Sequence, residues 1–368
     1  MTRQNLRVCF VTEVDLDQVG GAVTTDRKTI DVLEKLCNVD VIYLEKMRHK
    51  SMVAALAVFL LKVLGSLSTH DTIYFSRGLI SSTFLICLRP FARIRIVHQA
   101  LSVPFPSDEV YFMPHSGFES RVRYYLFRFL EKTVLRRVDY ITVASAEYAD
   151  QLVDFGVPEG RIKTVPFMVE DAFFEQPVKE EGSVTFSFCY AGRFHLYHVL
   201  VPLVQAFGLF AREERNVELI LVGDGPSRGE IEREVVQRSL SDKVKFTGIV
   251  PHDRFPSFLS TVDCFVLLSK ATGMPIGILE AAAAAKPIIT LKRKHDVTLD
   301  RYFEHGKEIY VVENPSPERI ADALKRVYED PNLRHALAKG ARQVAQRYFS
   351  ENAVKGVLDE LLHEEFRP

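Results

Sequence analysis

Ser269-Lys-Ala-Thr-Gly-Met-Pro-Ile-Gly-Ile-Leu-Glu280-Ala-Ala-Ala-Ala-Ala285-Lys-Pro-Ile-Ile-Thr290 runs from a loop rich in glycine and proline into a small-residue helix carrying one acid. A Lys-Pro break then leads into a short apolar strand. This order sets the free backbone N–H groups of a helix N-terminus at the end of a loop, where phosphate is well held. An acid on the first turns of the same helix reaches a neighbouring ribose, as the acidic residue of a dinucleotide fold does. The segment therefore predicts a nucleotide diphosphate site. The alternative is a buried helix whose alanines only permit close packing.

Outward from this segment, short β-branched or aromatic runs alternate with longer stretches of helical periodicity. Strands are predicted over 8–12, 39–43, 72–75, 94–98, 140–144 and 162–165, with helices such as 25–37 and 119–137 between them. A polar interval over 175–183 reads as a linker. Strands follow over 186–191, 217–222, 244–247, 264–268, 287–291 and 309–312, separated by helices over 199–211, 228–239, 276–285 and 317–327. This is the pattern of two α/β domains, each a parallel sheet covered on both faces. Their expected extents are 1–174 and 175–350, with a terminal helix over 351–368 that crosses back to the first domain. Ligands of open parallel sheets bind at the carboxyl ends of the strands, so a cleft between the domains is the expected site.

Bulk composition agrees with that division. A chain of 368 residues exceeds one ordinary core, and 47% hydrophobic with 26% charged residues is globular. A net charge of -1 provides no field to recruit nucleic acid or an anionic membrane. Cys9, Cys37, Cys87, Cys189 and Cys264 lie far apart with no Cys-x-x-Cys pair, and read as reduced core residues of a cytosolic protein. The chain enters a strand at once, with no secretory signal. The apolar stretch 52–67 contains Lys62 and is shorter than the ~20 residues of a membrane span. It reads as a buried helix packed on a sheet, with an interfacial anchor as the alternative.

Several motifs fall at predicted strand ends. Gly20-Gly21-Ala22 follows the first strand, and paired glycines admit a ligand close to the backbone. His98 closes its strand, where it orients a group or accepts a proton unless it is a hydrogen-bonded structural histidine. Tyr190-Ala-Gly-Arg193 ends another strand and offers a guanidinium to a diphosphate, with His198 five residues on. Gly223-Asp-Gly225-Pro226 makes a tight turn, and Gly248 ends a strand where backbone amides could read a base edge.

Taken in order, these residues resemble the family 4 retaining glycosyltransferases of the GT-B fold. The resemblance rests on Ala191-Gly-Arg193, Val222-Gly-Asp-Gly-Pro226, Val244-x-Phe-Thr-Gly248, Lys286-Pro-Ile-Ile and Glu304-His-Gly-Lys-Glu-Ile-Tyr-Val-Val312. Gly20-Gly21 and Val138-Asp-Tyr-Ile-Thr-Val-Ala-Ser145 extend it to the N-terminal half. The family implies two Rossmann-like domains with parallel sheets facing across a cleft. It places Glu280 on the donor ribose and the backbone amides of Gly277, Ile278 and Leu279 on the diphosphate. Arg193 matches its diphosphate-binding arginine, and Gly20-Gly21 a loop facing the same phosphates. His98 matches a histidine beside the donor sugar. Gly223, Gly225, Gly248, Thr272 and Gly273 complete the implied donor-binding set. No metal is required, because cationic side chains and helix dipoles stabilise the leaving diphosphate.

The departures from the family pattern are specific. Thr272 stands where the first of two paired acids is expected, and His198 where a lysine is expected. Ala284-Ala285 replaces an Ala-Gly pair, and Lys292-Arg-Lys-His295 replaces a Gly-Gly loop. Histidine is only partly charged at neutral pH, so the clamp on the leaving group is weaker unless Lys292, Arg293 or Lys294 adds charge.

The expected activity is retaining transfer of a sugar from a nucleoside diphosphate sugar, UDP or GDP, to a hydroxyl of a glycan or lipid-linked glycan. The alternatives are a catalytically silent nucleotide-sugar-binding or partner-binding member and a sugar-nucleotide epimerase. The arginine and aromatic residues of 119–137 suit a peripheral contact with the inner face of a membrane, or else a solvated sheet-covering helix.

Overall fold

The computed structural model describes residues 6–17, 21–45, 52–67, 72–100, 129–177, 185–196, 199–270, 274–292 and 299–363. The chain forms two compact units, one of Met1–Phe167 with Val354–Pro368 and one of Met168–Ala353.

In the first unit β1 (Arg7–Thr12), α1 (Gly21–Glu34), β2 (Asn38–Tyr43), α2 (Met52–Gly65), β3 (Thr72–Arg77) and α3 (Leu79–Leu88) come in order. Then follow β4 (Ile94–Ala100), β5 (Tyr140–Val143), α4 (Ala146–Asp154) and β6 (Ile162–Thr164), with residues 129–137 helical before β5. The sheet runs β2-β1-β3-β4-β5-β6 with every pair parallel. Strand order reverses between β1 and β3, so their carboxyl ends flank this sheet's ligand crevice.

The second unit contains α5 (Asp171–Phe174), β7 (Phe186–Ala191), α6 (Leu200–Phe210), β8 (Val217–Val222), α7 (Arg228–Gln237), β9 (Val244–Gly248) and α8 (Phe255–Ser260). It continues with β10 (Cys264–Leu267), α9 (Ile276–Ala283), β11 (Ile288–Leu291), β12 (Tyr310–Val312), α10 (Pro317–Glu329) and α11 (Pro331–Tyr348). Its parallel sheet runs β12-β11-β10-β7-β8-β9, so the order reverses between β7 and β10. The last helix, α12 (Glu351–His363), starts in this unit, but its residues from Val354 onward belong to the first.

All twelve expected strands are present, their ends moved by at most two residues. Four expectations need correction. β4 continues through Gln99 and Ala100, so His98 lies within the strand and not at its end. α1 begins at Gly21, four residues earlier than expected, so Gly21 is part of the helix and not of a loop before it. α2 buries only one face: Ala55, Phe59 and Val63 join the core, while Val53 and Leu61 stay exposed. Of the cysteines, Cys87 is exposed and outside the core.

Packing explains the alanine run. Ala281 to Ala284 are all buried, and their small side chains let α9 pack against α11 and the sheet. The helix closes with Lys286 N–H on Ala281 O at 2.9 Å and Ala285 N–H on Ala282 O at 3.0 Å. These are the two bonds of a Schellman cap, whose left-handed position favours glycine. Here it is Ala285, at φ 52°. Lys286 is buried as well, and its Nζ donates to Ser260 O at 3.1 Å and Val262 O at 2.9 Å. In this chain the Lys-Pro break therefore ties α9 to the loop before β10.

Candidate active site

At the carboxyl end of the second sheet the site is built from backbone. Gly192 N–H donates to Val222 O at 3.0 Å, Phe194 N–H to Asp224 O at 2.9 Å and Gly223 N–H to Gly248 O at 2.8 Å. These bonds lace the turns after β7, β8 and β9 together. A Cβ on Gly223 would stand 2.0 Å from Gly192 O, and one on Gly225 would stand 2.4 Å from Phe194 O. The Gly-x-Gly turn is thus required by the neighbouring turn, before any ligand is considered. Gly248 is different: its φ of 70° suits glycine, and nothing stands within 4 Å of a Cβ there. Tyr190, fully buried, donates its hydroxyl to Arg193 O at 3.0 Å, which fixes the backbone while the Arg193 side chain stays exposed.

The first turn of α9 joins this assembly. A Cβ on Gly277 would stand 3.3 Å from Phe265 Cζ and 3.8 Å from Ala191 O, so the helix start lies close on β10 and the end of β7. Pro275 at the N-cap provides no side-chain cap. Ile278 N–H turns back to Pro275 O at 3.0 Å, which commits one of the three amides expected at the diphosphate. Glu280 is buried, one turn further along, in a helix that is otherwise apolar all round. A buried carboxylate is retained only where partners compensate its desolvation. One partner is His252, whose Nδ1 lies 3.9 Å from Glu280 Oε1 and whose Nε2 lies 3.2 Å from Glu170 Oε1. His252 opens the single turn after β9, and its ring packs on the buried Phe173 of α5. His252 and Glu170 escape the sequence reading, because a histidine in Pro-His-Asp-Arg carries no motif of its own.

The corresponding end of the first unit is built from side chains. Asp26 of α1 is fully buried between Thr12, whose hydroxyl donates to it at 2.7 Å, and the guanidinium of Arg77. Burial lowers Arg77 to about 10. Glu13, just past β1, accepts the Ser81 amide at 2.8 Å at the start of α3. His98 is buried, its Nδ1 2.8 Å from Ser82 Oγ. Burial pushes the ring down to about 4, from an ordinary 6.5. It is therefore neutral at physiological pH, and stability that depends on the neutral ring is complete above about 6.5 and lost as pH falls toward 4.

The second unit thus brings Arg193, Gly223, Gly225, Gly248, Gly277, Ile278, Leu279 and Glu280 to one end of one sheet, with Arg193 and the start of α9 at its switch point. His98 and Gly21 belong to the first unit. Gly20, His198, Thr272, Gly273, Arg293, Lys294 and most of 119–137 lie outside the described residues. Lys292 is described, and its Nζ pairs with Asp300 Oδ2 at 2.5 Å. Among the described residues no helix is long and apolar enough to cross a membrane.

Comparison with known proteins agrees with both halves of the chain. Residues 8–167 match the glycosyl transferase 4-like domain, and residues 171–344 match glycosyl transferases group 1. Alpha-D-kanosaminyltransferase of Streptomyces kanamyceticus is 30% identical over 165 residues, 45% of this chain and 42% of that protein. N-acetyl-alpha-D-glucosaminyl L-malate synthase of Bacillus anthracis is 25% identical over 228 residues, 60% of this chain and 58% of the relative. The chain thus spans about half the length of the curated relatives it matches. Among solved structures, Anabaena HepE in complex with UDP superposes with a TM-score of 0.75 at 15% identity, covering 98% of this chain and all of that one. Sucrose-phosphate synthase from Thermosynechococcus elongatus gives 0.74 at 19% identity, covering 98% of this chain and 99% of that one. At such identities the likeness shows the fold. With family models over both halves and a shared two-sheet architecture, the chain belongs to the group 1, or family 4, glycosyltransferases of the GT-B fold.

Proposed function

We propose that the chain transfers a sugar from a nucleoside diphosphate sugar, UDP or GDP, to a hydroxyl acceptor with retention and without a metal. The observation that carries this reading is the placement of Glu280 one turn inside α9, whose uncapped start packs on the end of β7 beside Arg193. In this reading the Glu280 carboxylate accepts the two ribose hydroxyls. The remaining amides at the start of α9 and the exposed Arg193 guanidinium take the diphosphate, whose negative charge grows as the glycosidic bond breaks. His252 stands beside the ribose acid, Nδ1 3.9 Å from Glu280 Oε1, with Glu170 on its other ring nitrogen. The solved HepE structures that share this fold contain UDP and UDP-glucose, which supports a nucleotide donor. The relatives include a lipopolysaccharide core biosynthesis glycosyltransferase and an alpha-monoglucosyldiacylglycerol synthase, which supports a glycan or lipid-linked acceptor here.

Glu280→Ala removes the ribose acceptor. We expect UDP or GDP affinity, measured by calorimetry in the presence of a chelator, to fall by the ~1.5–3 kcal/mol of bonds to a charged group. Unchanged affinity for both nucleotides rules out Glu280 as the ribose residue, and binding abolished by the chelator rules out the metal-free site.

A further inference from the structure

Three buried serines connect Glu13 to His98 in the first unit. Ser76, Ser81 and Ser82 are each fully buried, and none stands in a recognised motif. Ser81 Oγ lies 3.1 Å from Glu13 Oε1 and 3.2 Å from Gly78 O. Ser76 Oγ lies 2.9 Å from Ser81 Oγ, Ser82 Oγ 2.8 Å from Ser76 Oγ, and His98 Nδ1 2.8 Å from Ser82 Oγ. Parallel pairing of β3 and β4 sets Ser76 opposite His98, and the first turn of α3 returns Ser81 and Ser82 to the same spot.

Counting hydrogens gives this chain a direction. A serine hydroxyl has one hydrogen to donate. Glu13 Oε1 already accepts the Ser81 amide, and Gly78 O is a carbonyl, so neither has a hydrogen to give Ser81. The Ser81 hydrogen therefore goes to one of these two oxygens, and Ser81 must accept from Ser76. Ser76 in turn accepts from Ser82, the direction its geometry favours. Ser82 has then spent its hydrogen and can only accept from the histidine.

We propose that Ser82, Ser76 and Ser81 form a one-way hydrogen-bond relay that holds His98 as the Nδ1–H tautomer, so that its Nε2 presents a lone pair. Among the described residues the ring's only hydrogen bond is the one at Nδ1, which leaves Nε2 for a ligand. A neutral imidazole with that lone pair accepts a hydrogen bond from a hydroxyl and cannot donate one. The ligand that Nε2 can take is therefore one that offers it a hydroxyl or another hydrogen-bond donor. Ser76 and Ser82 are then positioning residues, acting through the histidine. Burial raises the Glu13 carboxyl, and the Ser81 and Ile80 hydrogen bonds of α3 oppose that rise and favour its acceptor form.

The tautomer is read directly by long-range proton–nitrogen correlation on the ligand-free full-length chain labelled with 15N-histidine. His98→Gln identifies the resonances. We expect His98 protonated at Nδ1 in the wild type at pH 7.5, unchanged between pH 6 and 8. Ser76→Ala takes away the acceptor of Ser82, whose hydroxyl then turns to Nδ1, and the proton moves to Nε2. Ser76→Thr, which keeps the hydroxyl, restores the wild-type pattern. An Nε2–H ring in the wild type overturns the relay, whether or not any variant folds, and so does an unchanged tautomer in Ser76→Ala. Both readings are independent of transfer activity.

Discussion

The first sheet ends in side chains bonded to side chains, Asp26 to Arg77 and Ser82 to His98, whereas the second ends in glycines whose backbones touch. Both ends sit at a reversal of strand order, and they are made in opposite ways. A side-chain network depends on each partner being present, since a buried charge or hydroxyl left alone is costly. A laced set of turns depends on atoms being absent, since a Cβ at the wrong place has nowhere to go. The first construction is sensitive to deletion and the second to addition.

The largest test of that contrast is Asp26→Ala. It strips Arg77 of a fully buried carboxylate, and breaking such a pair costs about 3–5 kcal/mol. Hydrogen exchange should show the loss in α1 and β3 of the first unit and leave the second unit's protection unchanged. A cost under about 1 kcal/mol would mean that the pair only decorates the crevice. Next comes Gly223→Ala, which adds a methyl 2.0 Å from Gly192 O. The upper range of overpacking, about 3 kcal/mol, is expected in the second unit by urea unfolding. A neutral result would show that the three turns are not laced as described. The smallest effect has the opposite sign. Ala285→Gly relieves a left-handed alanine at φ 52° and should stabilise the second unit by about 1 kcal/mol. A destabilised variant would mean that the Ala285 methyl is worth more in the core than its backbone strain costs.

The same contrast explains what the sequence made legible. Parallel strands read as apolar runs because both faces are buried, so Val8 to Val11 and Cys264 to Leu267 announce themselves. Gly223 and Gly225 are legible because a turn that admits no Cβ must write glycine at fixed positions in its own short stretch. Their assignment to a ligand was less direct, since a neighbouring turn already demands them. The serine relay was not legible at all. Glu13 and Ser81 are 68 residues apart, and only the register of β3 on β4 brings Ser76 to His98. His252 beside Glu280 is hidden for the same reason. The start of α11 carries ordinary signals, Asp330 accepting from Leu333 N–H at 2.9 Å and Pro331 in the first turn.

The terminal helix has a consequence for how the protein is made. Val354, Leu358, Leu361 and Leu362 of α12 are buried, and this part of the helix belongs to the unit that the chain begins. During synthesis a domain ordinarily folds once its own residues have left the ribosome, the N-terminal one first. Here the unit that emerges first is the last to be completed, waiting for residues 354–363 while everything in the second unit is already outside. The nascent first unit must therefore remain folding-competent, without residues 354–363, throughout translation of the second unit.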